Sequence, residues 1–193
     1  MRVISGELKG RRLIGAKGRH TRPTADRVKE ALFNILADNV VGASVLDLFA
    51  GTGSPSIEAL SRGASFAVLI DNHTDPLAVI KKNIRVCALE SRSRIIRWDI
   101  QRNLVCLKSD TIFDLVFMDP PYNSGMIPIV LNHLVSSQSL SPNVRIIVEH
   151  SSHESLPLVI HALDRYDQRK YGQTVLSFYC ENKIVTGDRT GDA

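Results

Sequence analysis

Short apolar runs alternate with longer amphipathic segments through the middle of the chain. The apolar runs that have the length and composition of buried strands are residues 45–49, 65–70, 94–98, 113–118 and 144–149. The segments with helical spacing of apolar positions are residues 54–62, 75–87 and 126–135. Repeated strand–helix units of this kind predict a mostly parallel sheet that is covered by helices on both faces.

The segments before and after these units have different patterns. Residues 24–37 carry apolar side chains at helical spacing, which predicts a helix with Thr24 as its N-cap. Residues 158–169 and 174–180 surround Tyr171-Gly172 and predict an antiparallel pair that closes the sheet.

The first residues of the chain predict a short hairpin. Residues 3–6 and 11–15 combine β-type side chains with turn glycines. The expected organisation is a basic hairpin arm at residues 1–22, an α/β domain at residues 23–185 and a disordered tail at residues 186–193.

Positive charge is concentrated in this arm. The formal net charge is +4, whereas residues 1–22 hold seven basic residues against the single acid Glu7, a balance of 7 − 1 = +6. The remaining residues therefore sum to 4 − 6 = −2. The basic residues are Arg2, Lys9, Arg11, Arg12, Lys17, Arg19 and Arg22. A basic arm on a near-neutral body indicates a phosphate-backbone partner, and a solubilising or disordered tail is the alternative.

Composition excludes several classes of protein. No apolar run is long enough to span a bilayer, and no signal-peptide pattern follows the N-terminus. Cys87, Cys106 and Cys180 are widely spaced, which suits a reducing cytosol, so we expect a cytoplasmic protein. No metal site is expected, because the histidines are scattered and are interpreted as surface or hydrogen-bonded residues. They are His20, His73, His133, His150, His153 and His161.

The turn after the first strand of the sheet has the composition of a ligand-binding loop. Open α/β sheets bind ligands at the carboxyl ends of their strands, and Asp47-Leu-Phe-Ala-Gly-Thr-Gly53 lies there. Gly51 and Gly53 allow a tight bend and a close approach to a ligand. Asp71 ends the next strand, where a carboxylate can accept hydrogen bonds from ribose hydroxyls.

The ligand predicted from this loop is a nucleoside without a pyrophosphate. Phe49 and Ser56 stand where the dinucleotide fingerprint requires glycine, which argues against NAD. Asp99 follows the third strand and could bind an adenine amine. A helix N-cap is an equally good interpretation of Asp99 alone.

Asp119-Pro120-Pro121-Tyr122 follows the fourth strand and predicts the chemistry of the site. The prolines fix the backbone, so the Asp119 carboxylate and the Pro120 carbonyl can together accept hydrogen bonds from an exocyclic amine of a base. These bonds favour an attacking geometry at a nitrogen whose lone pair is otherwise delocalised. Tyr122 offers a face on which an extruded base can stack. The alternative is an ordinary turn after a strand.

The motifs resemble those of class I amino-methyltransferases and, more narrowly, of the RsmD family of guanine-N2 methyltransferases acting on 16S ribosomal RNA. The resemblance covers residue 2 to Tyr179. It is carried by Arg2-Val-Ile-Ser-Gly6, Lys9-Gly-Arg-Arg-Leu13, the segment from Arg22-Pro-Thr24 to Leu36, the glycine loop with Glu58-Ala-Leu-Ser-Arg-Gly-Ala64, and the Asp119 tetrapeptide.

This resemblance implies a Rossmann-like, mostly parallel seven-stranded sheet with an antiparallel last strand, and S-adenosylmethionine as the methyl donor. It implies 16S rRNA in an assembled or assembling small subunit as the partner, and we expect a monomer. The predicted cofactor-binding residues are Arg22, Pro23, Thr24, Asp47, Phe49, Gly51, Gly53, Asp71, Asn72, Asp99, Ile100 and Asp119. The predicted RNA-binding residues are Arg2, Lys9, Arg11, Arg12, Lys17 and Arg19.

One departure from the family pattern is visible. Ser54-Pro55-Ser56 replaces the small or aliphatic residues, often Ala-Leu-Gly, that are usual after the glycine loop. Proline is tolerated at a helix start, so we expect the fold to be intact while cofactor affinity differs.

Two other functions remain open at this point. A DNA adenine-N6 methyltransferase also uses Asp-Pro-Pro-Tyr, and the chemistry of the amine does not separate it from a guanine-N2 enzyme. The chain leaves no room for a DNA target-recognition domain, which argues against it. A non-catalytic RNA-binding assembly factor is disfavoured by the intact Asp119 and glycine loop.

Overall fold

The computed structural model describes residues 1–15, 23–107 and 111–182, with backbone alone for residues 23–25, and this part of the chain contains four α-helices and eight strands. The helices are α1 Pro23–Leu36, α2 Ser54–Ser61, α3 Thr74–Val86 and α4 Met126–Ser136. The strands are β1 Ser44–Leu48, β2 Phe66–Asp71, β3 Ser93–Arg97, β4 Phe113–Met118, β5 Leu140–Ser151, β6 Val159–Ile160, β7 Leu163–Tyr171 and β8 Thr174–Glu181.

All eight strands form one sheet in the order β3-β2-β1-β4-β5-β8-β7-β6. The first five are mutually parallel, and β8 is antiparallel to both β5 and β7. The prediction of a Rossmann-like, mostly parallel sheet with an antiparallel last strand is confirmed. The carboxyl ends of the five parallel strands consequently lie along one edge of the sheet.

The sheet has eight strands where seven were expected. Residues 158–169, predicted as one strand, are interrupted at His161, whose φ of 53° is left-handed. The chain turns there and β6 pairs back onto β7 through Val159↔Asp164 and Ile160↔Leu163. The additional strand is therefore a two-residue hairpin arm at the end of the sheet.

Helices cover both faces of the sheet, as the strand–helix alternation predicts. One cluster of buried side chains, called here the first core cluster, joins α1, α2 and α3 to the sheet through Phe33, Ile57, Ile80 and Phe117. The second core cluster lies on the opposite face and joins α4 to the sheet through Ile127, Leu131, Val116 and Val148. Because both faces are covered, the central strands are apolar at nearly every position.

Helix α1 begins one residue earlier than predicted. Its first residue is Pro23, so Thr24 lies within the first turn, and the prediction of Thr24 as the N-cap is wrong. Proline suits the first helical position, because its φ is already helical and that position needs no N–H donor.

The N-terminal segment, residues 1–15, folds back on itself and packs on α2. Val3 N donates to Arg11 O at 3.0 Å, and Gly10 N donates to Val3 O at 2.9 Å, around an antiparallel bridge between Arg2 and Arg12. Val3 is buried in the first core cluster. The alternative of a solubilising or disordered tail is therefore wrong for these residues, while Lys17, Arg19, Arg22 and the predicted tail at 186–193 lie outside the described residues.

Contacts between the backbone of this segment and residues of α2 fix the position of the segment. The Glu58 carboxylate accepts hydrogen bonds from Ile4 N at 2.8 Å and Ser5 N at 2.9 Å. Gly6, at φ 82°, approaches so closely that a Cβ there would lie 1.8 Å from Ser61 O. Only glycine can occupy this position without moving the segment off the helix.

Candidate active site

Four acidic residues mark the ends of neighbouring parallel strands. Asp47 is in β1, Asp71 ends β2, and Asp99 and Asp119 lie just beyond β3 and β4. The first two are buried, whereas Asp119 is exposed. The edge therefore combines a buried polar half with a half that is open to solvent.

The glycine loop, Phe49 to Gly53, makes a left-handed bend between β1 and α2. Phe49, Gly51 and Gly53 have φ values of 63°, 57° and 73°. Gly53 N donates to Ala50 O at 2.7 Å, which closes the turn at the start of α2. A Cβ on Gly53 would lie 3.0 Å from Leu69 Cδ2, so both the backbone angle and the space favour glycine.

Asp71 connects this loop to the turn after β2. Its Oδ2 accepts a hydrogen bond from Gly51 N at 3.0 Å, and its Oδ1 accepts one from His73 N at 2.9 Å. Each oxygen of an ionised carboxylate has capacity for a further donor. A ribose hydroxyl is one such donor, and Asn72, next to Asp71, is exposed at the same turn.

Asp47 lies beneath the glycine loop. Only 3% of the residue is exposed, and its Oδ2 accepts a hydrogen bond from Ser56 Oγ at 2.7 Å. Burial raises the pKa of Asp47 from 3.8 to about 7; the hydrogen bonds from Ser56 oppose that rise and the charge of Asp71 adds to it. Asp47 therefore stabilises the start of α2, directly after the glycine loop, through its hydrogen bond with Ser56. A direct contact between Asp47 and a cofactor stays a prediction.

The unusual Ser54-Pro55-Ser56 segment is accommodated without loss of helix geometry. Ser56 is fully buried and supplies the donor for Asp47. Ser54 Oγ accepts a hydrogen bond from Lys29 Nζ at 3.0 Å, and burial lowers the pKa of Lys29 while Glu58 opposes that change. Both serines thus complete buried polar networks next to the glycine loop.

Asp99 lies in the turn after β3, directly after the residue that bonds to β2. Trp98 N donates to Asp71 O at 3.1 Å. Asp99 Oδ1 accepts a hydrogen bond from Gln101 N at 3.2 Å, and Asp99 Oδ2 lies 3.3 Å from Arg102 Nε. Asp99 therefore stabilises its own turn, and the adenine-binding interpretation stays a prediction. Ile100 is buried in the second core cluster.

The Asp119-Pro120-Pro121-Tyr122 tetrapeptide leaves β4 at the open part of the edge. Pro120 is buried, and the other three residues are exposed. Tyr122 is 41% exposed, and its hydroxyl donates to Glu149 Oε1 at 3.0 Å and lies 3.2 Å from Thr174 Oγ1. Partial burial raises the pKa of Tyr122, and the carboxylates of Glu149 and Asp119 add to that rise.

The positions of three predicted cofactor residues are described only in part. Arg22 lies outside the described residues. Pro23 and Thr24 form the first turn of α1, and their side chains lie outside the described part of the chain.

Asn83 is a site residue that the sequence reasoning missed. This fully buried side chain of α3 accepts a hydrogen bond from Ile14 N at 2.8 Å and donates to Ile14 O at 3.1 Å and to Thr52 O at 2.9 Å. It therefore joins the N-terminal segment to the glycine loop. An asparagine within the apolar stripe of a helix is the signal that could have found it, because a buried amide requires partners.

Glu149 and Thr174 were also missed, although both contact Tyr122. Glu149 lies near the carboxyl end of β5, so the rule that selected Asp71, Asp99 and Asp119 applies to it equally. Nothing in the sequence shows that the β7–β8 turn reaches the tetrapeptide.

The described basic residues of the N-terminal segment are on the surface. They are Arg2, Lys9, Arg11 and Arg12. Glu7, the one acid among residues 1–15, pairs with Arg92 at 2.6 Å, so it does not offset this surface. A depression between this segment and α1 has a mixed lining that includes the cations Arg2, Lys9 and Arg27 and the acids Asp26 and Glu30.

Residues 1–15, 23–107 and 111–182 contain neither a metal-binding cluster nor a membrane-spanning helix. No group of three His, Cys, Asp or Glu side chains that could hold a metal ion occurs among them. None of their helices is long and apolar enough to cross a bilayer. His133 and His150, two of the six histidines, have hydrogen-bond partners at Ile100 O and Ser177 Oγ.

Comparison with known proteins identifies the family of the chain. The model of the family described as conserved hypothetical protein 95 matches residues 1–180. Ribosomal RNA small subunit methyltransferase D of Escherichia coli is 32% identical over 179 residues, which is 93% of this chain and 89% of that protein. The chain belongs to the RsmD family of rRNA methyltransferases.

Further relatives agree with this assignment. The YlbH protein of Bacillus subtilis is 36% identical to the RsmD-family chain over 180 residues, which is 93% of this chain and 98% of that protein. A solved structure of the Escherichia coli protein yhhF superposes with a TM-score of 0.82 at 32% identity and covers 94% of this chain and 97% of that one. The similarity therefore extends over the whole fold.

Proposed function

We propose that the chain transfers a methyl group from S-adenosylmethionine to the exocyclic N2 of a guanine in 16S rRNA, acting as a monomer. The observation that carries this proposal is the position of the Asp119 tetrapeptide at the end of β4. This strand neighbours β1 and its glycine loop, and Asp71, at the end of β2 on the other side of β1, bonds to that loop. A methyl donor and a base amine can meet at this edge of the sheet.

The residues at the buried half of the edge fit a nucleoside cofactor. Three residues of the glycine loop have left-handed backbone angles, and the Asp71 carboxylate, which accepts a hydrogen bond from Gly51 N, has capacity for further donors at the same turn. In this proposal Phe49, Gly51 and Gly53 form the floor, Asp71 and Asn72 hold the ribose, Asp99 and Ile100 lie near the adenine, and Pro23 and Thr24 close over the site. S-adenosylmethionine supplies an activated methyl group when bound, and S-adenosylhomocysteine is the product.

The exposed half of the edge is suited to the acceptor amine. Asp119 Oδ and Pro120 O accept hydrogen bonds from N2, which hold the nitrogen lone pair toward the bond that forms. The methylated nitrogen then releases one proton to Asp119 or to water, so no stronger base and no metal is needed. The exposed ring of Tyr122 stacks on the base that carries the amine.

The proposed substrate is the small ribosomal subunit, assembled or assembling. One relative is named for methylation of small-subunit rRNA, and the exposed cations of the N-terminal segment suit a phosphate backbone. Lys17 and Arg19 extend the proposed RNA-binding set beyond Arg2, Lys9, Arg11 and Arg12.

Transfer of a radiolabelled methyl group tests this function. Small subunits from a strain lacking this gene, naked 16S rRNA and duplex DNA are each offered with labelled cofactor, and the product is mapped by mass spectrometry. We expect N2-methylguanine in subunits. Label in DNA alone would establish the adenine-N6 alternative, and cofactor binding without any label would favour the non-catalytic assembly factor.

A further inference from the structure

Glu149 lies beside the proposed catalytic residue on the neighbouring strand. Met118, the last residue of β4, pairs with Val148 of β5. The next residues, Asp119 and Glu149, therefore occupy the same level of the edge. Glu149 is paired across the sheet with Leu176, a member of the first core cluster, so its side chain points to that face.

Tyr122 connects this carboxylate to the proposed base-binding surface. The phenol hydroxyl donates to Glu149 Oε1 at 3.0 Å and lies 3.2 Å from Thr174 Oγ1. The ring itself is half-exposed, and both Asp119 and Glu149 act electrostatically on the phenol. A base stacked on this ring thus has two carboxylates near one of its edges.

Three hydrogen-bond acceptors lie at this edge of the site: the two carboxylates and the Pro120 carbonyl. Guanine presents adjacent donors, N1–H and N2–H₂, on its Watson–Crick edge. Adenine and cytosine place an acceptor nitrogen beside their amino group instead, which a carboxylate repels. An acceptor pair therefore matches guanine and disfavours the other amino bases.

We propose that Glu149 selects guanine by accepting a hydrogen bond from N1–H while Asp119 and Pro120 hold N2. The proposal rests on the proposed function and adds the residue that distinguishes guanine N2 from adenine N6. Glu149 also positions Tyr122, so its contribution to base selection must be separated experimentally from its contribution to the ring.

Base analogues at the mapped target position provide the test. Small subunits are reconstituted with 16S rRNA that carries guanine, 2-aminopurine or 6-thioguanine there. 2-Aminopurine keeps the N2 amine but has an acceptor at N1, whereas 6-thioguanine keeps N1–H and changes position 6. We expect kcat/KM on 2-aminopurine to be about 10- to 100-fold below that on guanine, the effect of losing a hydrogen bond to a charged group. We expect 6-thioguanine to stay within about threefold of guanine.

Glu149→Gln and Thr174→Val separate selection from positioning. The glutamine amide can turn either its oxygen or its NH₂ toward N1 and can still accept from Tyr122, so the guanine preference should fall below about threefold. Thr174→Val removes one hydrogen-bond partner of the Tyr122 hydroxyl and leaves the Glu149 carboxylate in place. It should therefore lower kcat/KM on guanine and on 2-aminopurine by the same factor. Cofactor affinity of each variant, measured by calorimetry, checks that the fold is intact.

The possible results separate the role of Glu149 in base selection from the proposed methyl transfer on which that role depends. Equal use of guanine and 2-aminopurine by the wild-type protein, or an unchanged preference in Glu149→Gln, would overturn the role of Glu149 and leave the proposed function standing. Absence of label in guanine-containing subunits would overturn the proposed function itself. If Glu149→Gln is too weakly active for its preference between the two bases to be measured, the comparison of guanine with 2-aminopurine in the wild-type protein is the test.

Discussion

The two halves of the strand edge are built differently. Under the glycine loop, Asp47, Asp71 and Asn83 are buried, and hydrogen bonds from neighbouring segments engage each of them. At the other half, Asp119 is exposed and Tyr122 is held at its hydroxyl while its ring remains half open. Buried polar groups that are held by hydrogen bonds suit a small cofactor, whereas an exposed aromatic ring suits a base that arrives on a large RNA particle.

The largest expected effect is on the open half. Asp119→Ala should lower kcat about 1,000-fold or more, because the amine loses an acceptor that is needed while the bond forms. Cofactor affinity should change by less than about threefold in calorimetry. Asp119→Asn is the matched control and should retain part of the turnover, since its amide oxygen still accepts. A large loss of cofactor binding in Asp119→Ala would instead assign this residue a role in holding the cofactor.

Asp47 should make stability depend on pH. Its pKa in the folded protein is about 7 and lies above the unfolded value of 3.8, so the folded state binds the proton more tightly. The contribution of Asp47 to folding is therefore present below about pH 4 and is lost as the pH rises to about 7. Asp47→Asn should gain stability over wild type across this range, on the order of 4 kcal/mol by pH 8.

Urea unfolding between pH 4 and pH 8 measures this difference. Asp38→Asn removes an exposed carboxylate and should differ from wild type by less than about 0.5 kcal/mol throughout. If the free energies of unfolding of Asp47→Asn and wild type differ by the same amount at every pH, the raised pKa of the buried Asp47 carboxyl is contradicted.

Asn83→Ala should disturb the buried half and the N-terminal segment together. Three hydrogen bonds of a fully buried amide are lost and the backbone groups of Ile14 and Thr52 lose their partner, so the free energy of unfolding should fall by about 2–4 kcal/mol. Cofactor affinity should fall as well. Asn132→Ala, at an exposed position of α4, is the control and should cost less than about 0.5 kcal/mol. Unchanged cofactor affinity in a destabilised Asn83→Ala protein would mean that Asn83 only supports the fold.

The smallest effect is expected from surface charge. Neutralising Arg11 and Arg12 with glutamine should weaken binding to small subunits several-fold at moderate salt and reduce the slope of log K against log salt by about 2. Lys81 and Lys82, two adjacent exposed cations of α3, form the matched control pair and should leave the slope unchanged. Equal slopes for both double variants would assign a structural role to the N-terminal segment.

Sequence patterns predicted the parts of the molecule that depend on local order. The central strands begin and end within one or two residues of expectation, except that β5 begins at Leu140, four residues early. Strand-end acids and the tetrapeptide could be placed because parallel strands share one edge. The left-handed His161 could not be predicted, since it depends on the packing of β6 against β7.

Contacts between distant segments were beyond the sequence reasoning. Asn83 joins partners that are 69 and 31 residues away, and Tyr122 meets Thr174 across 52 residues. No periodicity specifies which of several polar residues will meet, because the sheet order decides it. The basic arm was similarly predicted as a hairpin from its turn glycines and β-type residues, but its packing into the core at Val3 and its close contact with α2 at Gly6 were not predicted.

The docking of the N-terminal segment has a consequence for the order of folding. Its hydrogen-bond partners on α2 and α3 lie 53 to 69 residues further along the chain. This segment is synthesised before both helices and must therefore wait for them before its backbone donors find these partners, and closing such long loops is slow. Protection of residues 3–14 from hydrogen exchange would then report that α2 and α3 have packed on the sheet. Until then, the basic residues of this segment in a nascent chain would not be fixed on the surface of the domain.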